Sequence, residues 1–299
     1  MSMPNHLFLV RHGESEGNIA QAMAWAGDLS AFTDEYVTTP GRQWSLTERG
    51  RKQAEIAGTW LQAQIELIEQ AAGPSWPVPV RRYASPYRRT KQTAGLLGLR
   101  DDGRDAQWYL NRTLRERDWG DIETIPKARF ARAPEYALNA SKRRIDPLYW
   151  RPPGGESISD VADNRVRNFL DTLHRECSGQ IVVAVTHGEF IRAARTVLER
   201  VDDETYVAWE TDPASRIRNC EIFHYSRVDP DTGGTHPRIA YLRRAFPQPD
   251  ERRMQVGGWQ PIEYRRPTSA ELVGTAGSAA SDRTPRDDQA PDTPGEPCG

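Results

Sequence analysis

The chain has 299 residues, 40 Lys and Arg against 42 Asp and Glu, and a formal charge of −2, which gives no global attraction to nucleic acid or to an anionic membrane. No apolar run reaches the length of a membrane span, and HLFLV near the start is too short and wrongly flanked for a secretory signal. Cys177, Cys220 and Cys298 are few and widely spaced, which suits a reducing, cytoplasmic location and offers no Cys pair to a metal.

Two continuous apolar runs, HLFLV at 6–10 and QIVVAV at 180–185, predict strands buried on both faces, as in a largely parallel sheet. The first stops abruptly at Arg11, His12, Gly13 and Glu14. An insertion at 21–44 follows and is a candidate lid, with Trp25 and Trp44 equally readable as packing residues. From Thr47 to Ala72 the apolar positions Ala54, Ala57, Leu61, Ile65 and Ile68 recur at helical spacing, with Ser45 and Glu48 as a capping box. A short strand at 79–84 then leads through Ser85-Pro86 into a helix carrying Arg88 and Arg89 in its first turns.

Further on, Ile158, Val161, Val166, Phe169, Leu170 and Leu173 mark another amphipathic helix, with Ser157 as its N-cap. After the strand at 180–185, THGEFIRAARTVLER turns tightly into a helix. NCEIFHY at 219–225 and RIAYLRR at 238–244 read as strands joined by Gly233-Gly234. Strands alternating with helices predict an α/β sandwich. The folded domain is expected over residues 1–250. The remaining 251–299 form an extension, disordered from about 267, where Ser, Thr, Pro, Gly, Ala and Asp dominate and little apolar surface is available to offset ordering entropy.

In such sheets ligands bind beyond the carboxyl ends of the strands. Three strands end there in LVRHGES, YASPYRRT and AVTHGE, delivering Arg11, His12, Arg88 or Arg89, and His187 to one rim; LRERDWGD adds Glu116 and Asp118. Two imidazoles, guanidinium groups and a carboxylate make an anion pocket with a nucleophile and a proton donor. Phosphate suits it best, because the guanidinium fork matches phosphate oxygens, and a glycine after each His lets backbone N–H groups approach. The histidines lack the spacing of a zinc helix, so no metal and no cofactor is expected. His6, His174, His224 and His236 receive no role.

The blocks RHGESEGN, SLTERGRKQA, SPYRRTKQTA, LRERDWGD, PGGESISDV and VTHGEFIR, in this order, resemble the signature of the histidine phosphatase superfamily, also called phosphoglycerate mutase-like. The resemblance covers about residues 6–225. It implies a three-layer α/β/α sandwich with a mostly parallel central sheet. It also implies that His12 is a nucleophile that becomes phosphohistidine, and that Arg11, Arg89 and His187 hold the phosphoryl oxygens. Asn18 and Gly188 add substrate contacts, Glu116 is the proton donor, and Glu156 supports the pocket from behind. Asp118 is a weaker alternative to Glu116, falling outside the matching Arg-Glu position. The physics of those roles requires a neutral His12, whose protonation the neighbouring arginines oppose, and a Glu116 with raised pKa.

The function expected is metal-independent hydrolysis of a small-molecule phosphomonoester. The shortness of the 117–154 segment disfavours the alternative, a phosphomutase, which must retain its substrate while it reorients. A non-catalytic phosphoester-binding module is the third reading, and it predicts loss of His12, Arg89 or His187, all of which are present. The basic residues of 127–151 ordinarily make a solvated face, and the competing reading is recognition of further phosphates. Substrate identity and oligomeric state are not written in the sequence.

Overall fold

The computed structural model describes residues 2–73, 78–101, 103–248, 250, 252–264 and 266–278. Strand β1 (His6–Arg11) is followed by helices α1 (Glu16–Trp25), α2 (Asp34–Thr38) and the long α3 (Glu48–Ala72). Next come β2 (Val80–Ala84), α4 (Arg88–Leu96), the small hairpin of β3 (Arg100–Asp101) and β4 (Arg104–Asp105), and β5 (Tyr109–Leu110). Helices α5 (Lys127–Arg132), α6 (Ala137–Ile145), α7 (Ile158–Asp160) and α8 (Arg167–Glu176) precede β6 (Ile181–Thr186), α9 (Gly188–Leu198) and α10 (Asp203–Thr211). The order closes with β7 (Ile222–Ser226), β8 (Tyr241–Gln248), β9 (Arg253–Val256), β10 (Gln260–Pro261) and α11 (Ser269–Ser278).

The main sheet runs β10-β8-β7-β1-β6-β2-β5, with β9 also paired to β8. β1, β6, β2 and β5 are mutually parallel, and β7 and the strands beyond it are antiparallel. The two apolar runs are the adjacent central strands, buried along their whole length. Their alternate side chains enter opposite layers. Leu7, Leu9, Val182 and Ala184 join Phe169, Leu173 and Phe190 under one helical layer. Phe8, Val10, Val183 and Val185 join Ala54, Ala57, Leu61 and Ile65 of α3 under the other. Each large side chain so buried is worth roughly 1.5–3 kcal/mol, so this alternation holds the helices on both faces and makes the predicted α/β/α sandwich.

Four local expectations need correction. The cap of α3 is Thr47, whose hydroxyl accepts from Gly50 N, not Ser45; Ser45 N donates instead to the Glu16 carboxylate. The helix at 158–173 forms behind Ser157, paired with Asp160 as a capping box, but Val161–Val166 widens into a π-helical stretch. The sheet continues past the expected boundary at 250 through β9 and β10. Part of the tail expected to lack structure, Ser269–Ser278, is helical, with Leu272 and Val273 exposed; residues 279–299 lie outside those described. No helix among the described residues is long and apolar enough to cross a membrane.

Candidate active site

The carboxyl ends of β1, β2 and β6 open onto one cavity, and the residues that follow each strand converge there. Arg11, the last residue of β1, is buried, with Nη1 donating to Ile217 O at 2.5 Å. His12 follows at once, and its backbone N–H continues the parallel ladder to Thr186 O. Arg89 rises from the first turn of α4, while Arg88 stands outside on the exposed side. His187 is the N-cap of α9 and Gly188 its first residue.

Hydrogen bonding fixes the imidazole tautomers. His12 Nδ1 lies 2.7 Å from Gly13 O, which can only accept, so the proton is on Nδ1 and the lone pair is on Nε2. Arg89 Nε donates to that Nε2 at 3.0 Å. The same guanidinium donates through Nη2 to His187 Nδ1 at 3.1 Å and through Nη1 to Gly41 O at 2.7 Å. His187 therefore carries its proton on Nε2, which donates to Ser85 Oγ at 2.8 Å. The Nδ1 lone pair of His187 is thus taken by Arg89, and the ring is fully buried behind the cavity lining rather than part of it.

Burial first, then the charges of Arg89 and Arg11, hold the His12 imidazole well below its ordinary range. His187 is lowered in the same way, by burial and by Arg89. Glu116 moves in the opposite direction. Burial raises its carboxyl above the ordinary value, and Arg89 opposes that only in part. Glu116 Oε2 stands 3.9 Å from His187 Nδ1. Asp118, by contrast, is exposed and caps its own turn through Gly120 N. Of the two carboxylates the sequence offered, Glu116 and not Asp118 lines the cavity.

Glu156 stands behind this loop. Its Oε2 accepts from Asp118 N at 2.9 Å and from Arg165 Nη2 at 2.6 Å, and the same Nη2 reaches Glu116 O at 3.3 Å. Arg165 lies in the π-helical stretch, a distortion that recurs at functional sites. Asn18 lines the cavity, its Oδ1 held by Ser15 N and by Asn219 Nδ2, both at 3.1 Å.

One expectation about glycine fails. Gly13 N donates to Thr93 Oγ1 at 3.1 Å rather than standing open for a ligand. Its missing side chain serves packing, since a Cβ there would come 2.4 Å from Gly50 O.

The expectation of no metal also meets a fact that spacing did not reveal. Atoms of His12, Glu116 and His187 lie within 4.8 Å of one another, a donor set that could hold an ion. Arg89, however, already donates to the two imidazole lone pairs such an ion would need, and a fixed cation there opposes a second one.

The lining divides the two tryptophans of the candidate lid and adds residues the sequence reading gave no role. Trp44 lines the cavity and stacks on Tyr36 of α2, with ring centroids 4.9 Å apart at 8°; Trp25 lies instead beside Arg132, outside the cavity lining. Glu123, Trp119 and Glu189 also line it. Burial opposes ionisation of Glu189, but Arg117, Arg192, Lys127 and Arg143 outweigh it and keep the carboxyl low. The basic run at 127–151 divides. Lys127 and Arg143 face the cavity beside Trp119, while Arg129 pairs with Glu135 and Arg151 with Asp160 on the outer surface.

The sheet rim thus brings together a tautomer-fixed imidazole, a bridging guanidinium and a buried acid. The sequence profile of the histidine phosphatase superfamily (branch 1) matches residues 7–222, and the chain belongs to that superfamily. A phosphoglycerate mutase-like protein of Arabidopsis thaliana is 29% identical over 229 residues, covering 73% of this chain and 62% of its own length. A second Arabidopsis protein of that description is 32% identical, and the chain spans 55% of it. The 2,3-bisphosphoglycerate-dependent phosphoglycerate mutase of Methylorubrum extorquens is 31% identical over 70% of this chain and 85% of its own. Among solved structures, a mycobacterial glucosyl-3-phosphoglycerate phosphatase with VO3 shares the fold at TM-score 0.53 and 22% identity, covering 74% of this chain and 92% of that one.

Proposed function

We propose that the protein is a phosphatase that hydrolyses a small-molecule phosphomonoester through a phosphohistidine on His12, without a metal. The observation that carries this reading is the tautomer of His12, whose Nδ1–H is committed to Gly13 O so that the Nε2 lone pair faces Arg89 and the cavity. A phosphoryl group entering between them takes over the Arg89 donors, freeing Nε2 to attack phosphorus. Its negative charge also raises the proton affinity of His187, which turns Nδ1 from acceptor to donor.

As the P–O bond breaks, Glu116 gives its proton to the leaving alkoxide. The resulting carboxylate then takes a proton from water as that water attacks the phosphohistidine, which releases inorganic phosphate and restores His12. Fixed donors on the equatorial oxygens supply what is usually the largest catalytic contribution.

A phosphomutase is the second reading, supported by the names of the sequence relatives and by Lys127 and Arg143 in the cavity. The deciding experiment incubates the protein with a broad panel of phosphoesters and a chelator. It follows inorganic phosphate and acid-labile phosphoprotein together. Phosphate release with a transient phosphohistidine is expected. Isomerisation without release supports the mutase, and activity lost to the chelator and restored by a divalent ion overturns the metal-free mechanism. Buried free thiols at Cys177 and Cys220 suit the proposed cytoplasmic setting.

A further inference from the structure

A second cavity, of about 470 Å³, opens at the end of β1 opposite His12. The six residues of β1 separate the two places by about 20 Å. One wall of this cavity is apolar, made by Leu67 and Ile68 near the end of α3, with Trp259 from the β9–β10 connection also lining it. The polar end is a relay of side chains. Arg243 Nη2 donates to Gln64 Oε1 at 2.7 Å and to His224 Nδ1 at 3.3 Å.

Because a guanidinium has no lone pair to offer, His224 Nδ1 is the acceptor and the proton sits on Nε2. That nitrogen lies 3.1 Å from His6 Nδ1, so the proton of His6 in turn sits on its own Nε2. Burial, reinforced by Arg243, keeps both rings neutral, with His6 lowered to about 4. The relay therefore begins at a fixed cation and ends in an N–H donor on His6.

Arg243 has no carboxylate partner among the described residues. Its Nε is buried without a hydrogen bond, and the guanidinium rests against the rings of Trp259 at 4.5 Å and Trp60 at 5.4 Å. Asp229 is the acid on the lining, but its oxygens accept from the Tyr241 hydroxyl at 2.7 Å and from the amides of Asp231 and Thr232. Those neutral donors keep Asp229 ionised, so one negative charge shares the lining, but Arg243 itself stands without an ion-pair partner beside an apolar wall, in a volume within the range of roughly 300–1,000 Å³ typical of small-molecule sites.

We propose that this cavity binds an amphipathic organic anion, with its carboxylate taken by Arg243 and His6 Nε2–H and its hydrocarbon body along Leu67 and Ile68. A single fixed charge matches a carboxylate monoanion better than a phosphate dianion, half of whose charge would stay buried and unpaired. Binding here is independent of the chemistry at His12.

The test titrates full-length protein, labelled with 15N-histidine, with octanoate, its neutral counterpart octanamide, and inorganic phosphate, while the imidazole resonances are followed. Octanoate should shift His6 and His224 before His12 and His187, and bind at least about tenfold more tightly than octanamide. Arg243→Gln should erase that preference and leave phosphoester turnover unchanged. Leu67→Glu changes an exposed side chain, keeps the fold and puts a like charge at the mouth; it should weaken octanoate severalfold, which keeps the test decisive if the Arg243 variant folds poorly. Equal affinity for octanoate and octanamide, no shift of His6 and His224 up to about 10 mM octanoate, or tighter binding of phosphate at the same signals overturns the proposal.

Discussion

Arg89 Nε donates to His12 Nε2 across 3.0 Å, so the cation that would hold the phosphoryl oxygens rests, before substrate arrives, on the nitrogen that would attack phosphorus. Burial first and this charge second keep the imidazole neutral, and the contact aims it. It also gives Arg89 two separable effects, one on charge in the transition state and one on the protonation of His12.

Arg89→Gln should reduce kcat by about 10²- to 10³-fold through lost stabilisation of the phosphoryl oxygens. Its pH profile should change as well. Burial, and after it Arg89, lowers the His12 pKa, and activity requires neutral His12, so the acidic limb of kcat/KM lies well below 6.5 and should move up part of the way in the variant, which keeps the burial. A rate loss with no upward movement of the limb would confine Arg89 to binding.

His12→Ala should abolish turnover and any acid-labile phosphorylation of the protein, since no other nucleophile is proposed. Mass spectrometry of acid-sparing digests reads the result directly. Phosphoprotein that persists in this variant would remove His12 from the mechanism.

Glu116→Gln separates leaving-group assistance from the rest. A general acid contributes about 10²- to 10⁴-fold, and most where the leaving group is a poor one. The first turnover on an alkyl phosphate should fall severely, whereas that on an aryl phosphate should fall little. The raised pKa of Glu116 should also appear as a basic limb above the usual carboxylate range, because activity is lost as the acid deprotonates, and the variant should lack that limb. Equal first-turnover losses on both substrates would make the carboxylate structural.

Gly13→Ala tests packing rather than chemistry. An added Cβ lies 2.4 Å from Gly50 O, a backbone atom at the start of α3 that cannot rotate away. Overpacking of this kind costs about 1–3 kcal/mol, and more when the obstacle is backbone. The midpoint of thermal unfolding should fall by several degrees, about 2–4 °C per kcal/mol for a domain of this size.

Much of this site was legible in the sequence because each strand hands its last residues to the rim. The continuous apolar runs at 6–10 and 180–185 read as buried strands, and Arg11, His12 and His187 follow within two residues of their ends. The partners that set the tautomers were not legible. Ser85 reads as an ordinary residue before proline, yet it accepts the His187 proton. Asn219 carries no motif and lies 207 residues from His12, whose carbonyl it binds. Gly13 was read as an opening for a ligand because pattern alone cannot show that α3 starts against it. The basic run at 127–151 could not be divided into cavity and surface without the path of α5 and α6, since charge density is the same on both.

Gly41 O receives the third Arg89 donor, at 2.7 Å, and it belongs to the segment that carries Tyr36 and Trp44 over the cavity. Each nitrogen of this guanidinium thus makes one hydrogen bond, which leaves a second N–H on Nη1 and on Nη2. A phosphoryl group of the kind proposed can meet those two hydrogens while Nη1 still holds Gly41 O, so the segment need not open for Arg89 to be used. One side chain thus ties the segment that carries Trp44 to the imidazole at the end of β1, so the surroundings of that indole depend on a residue 45 positions away in the chain.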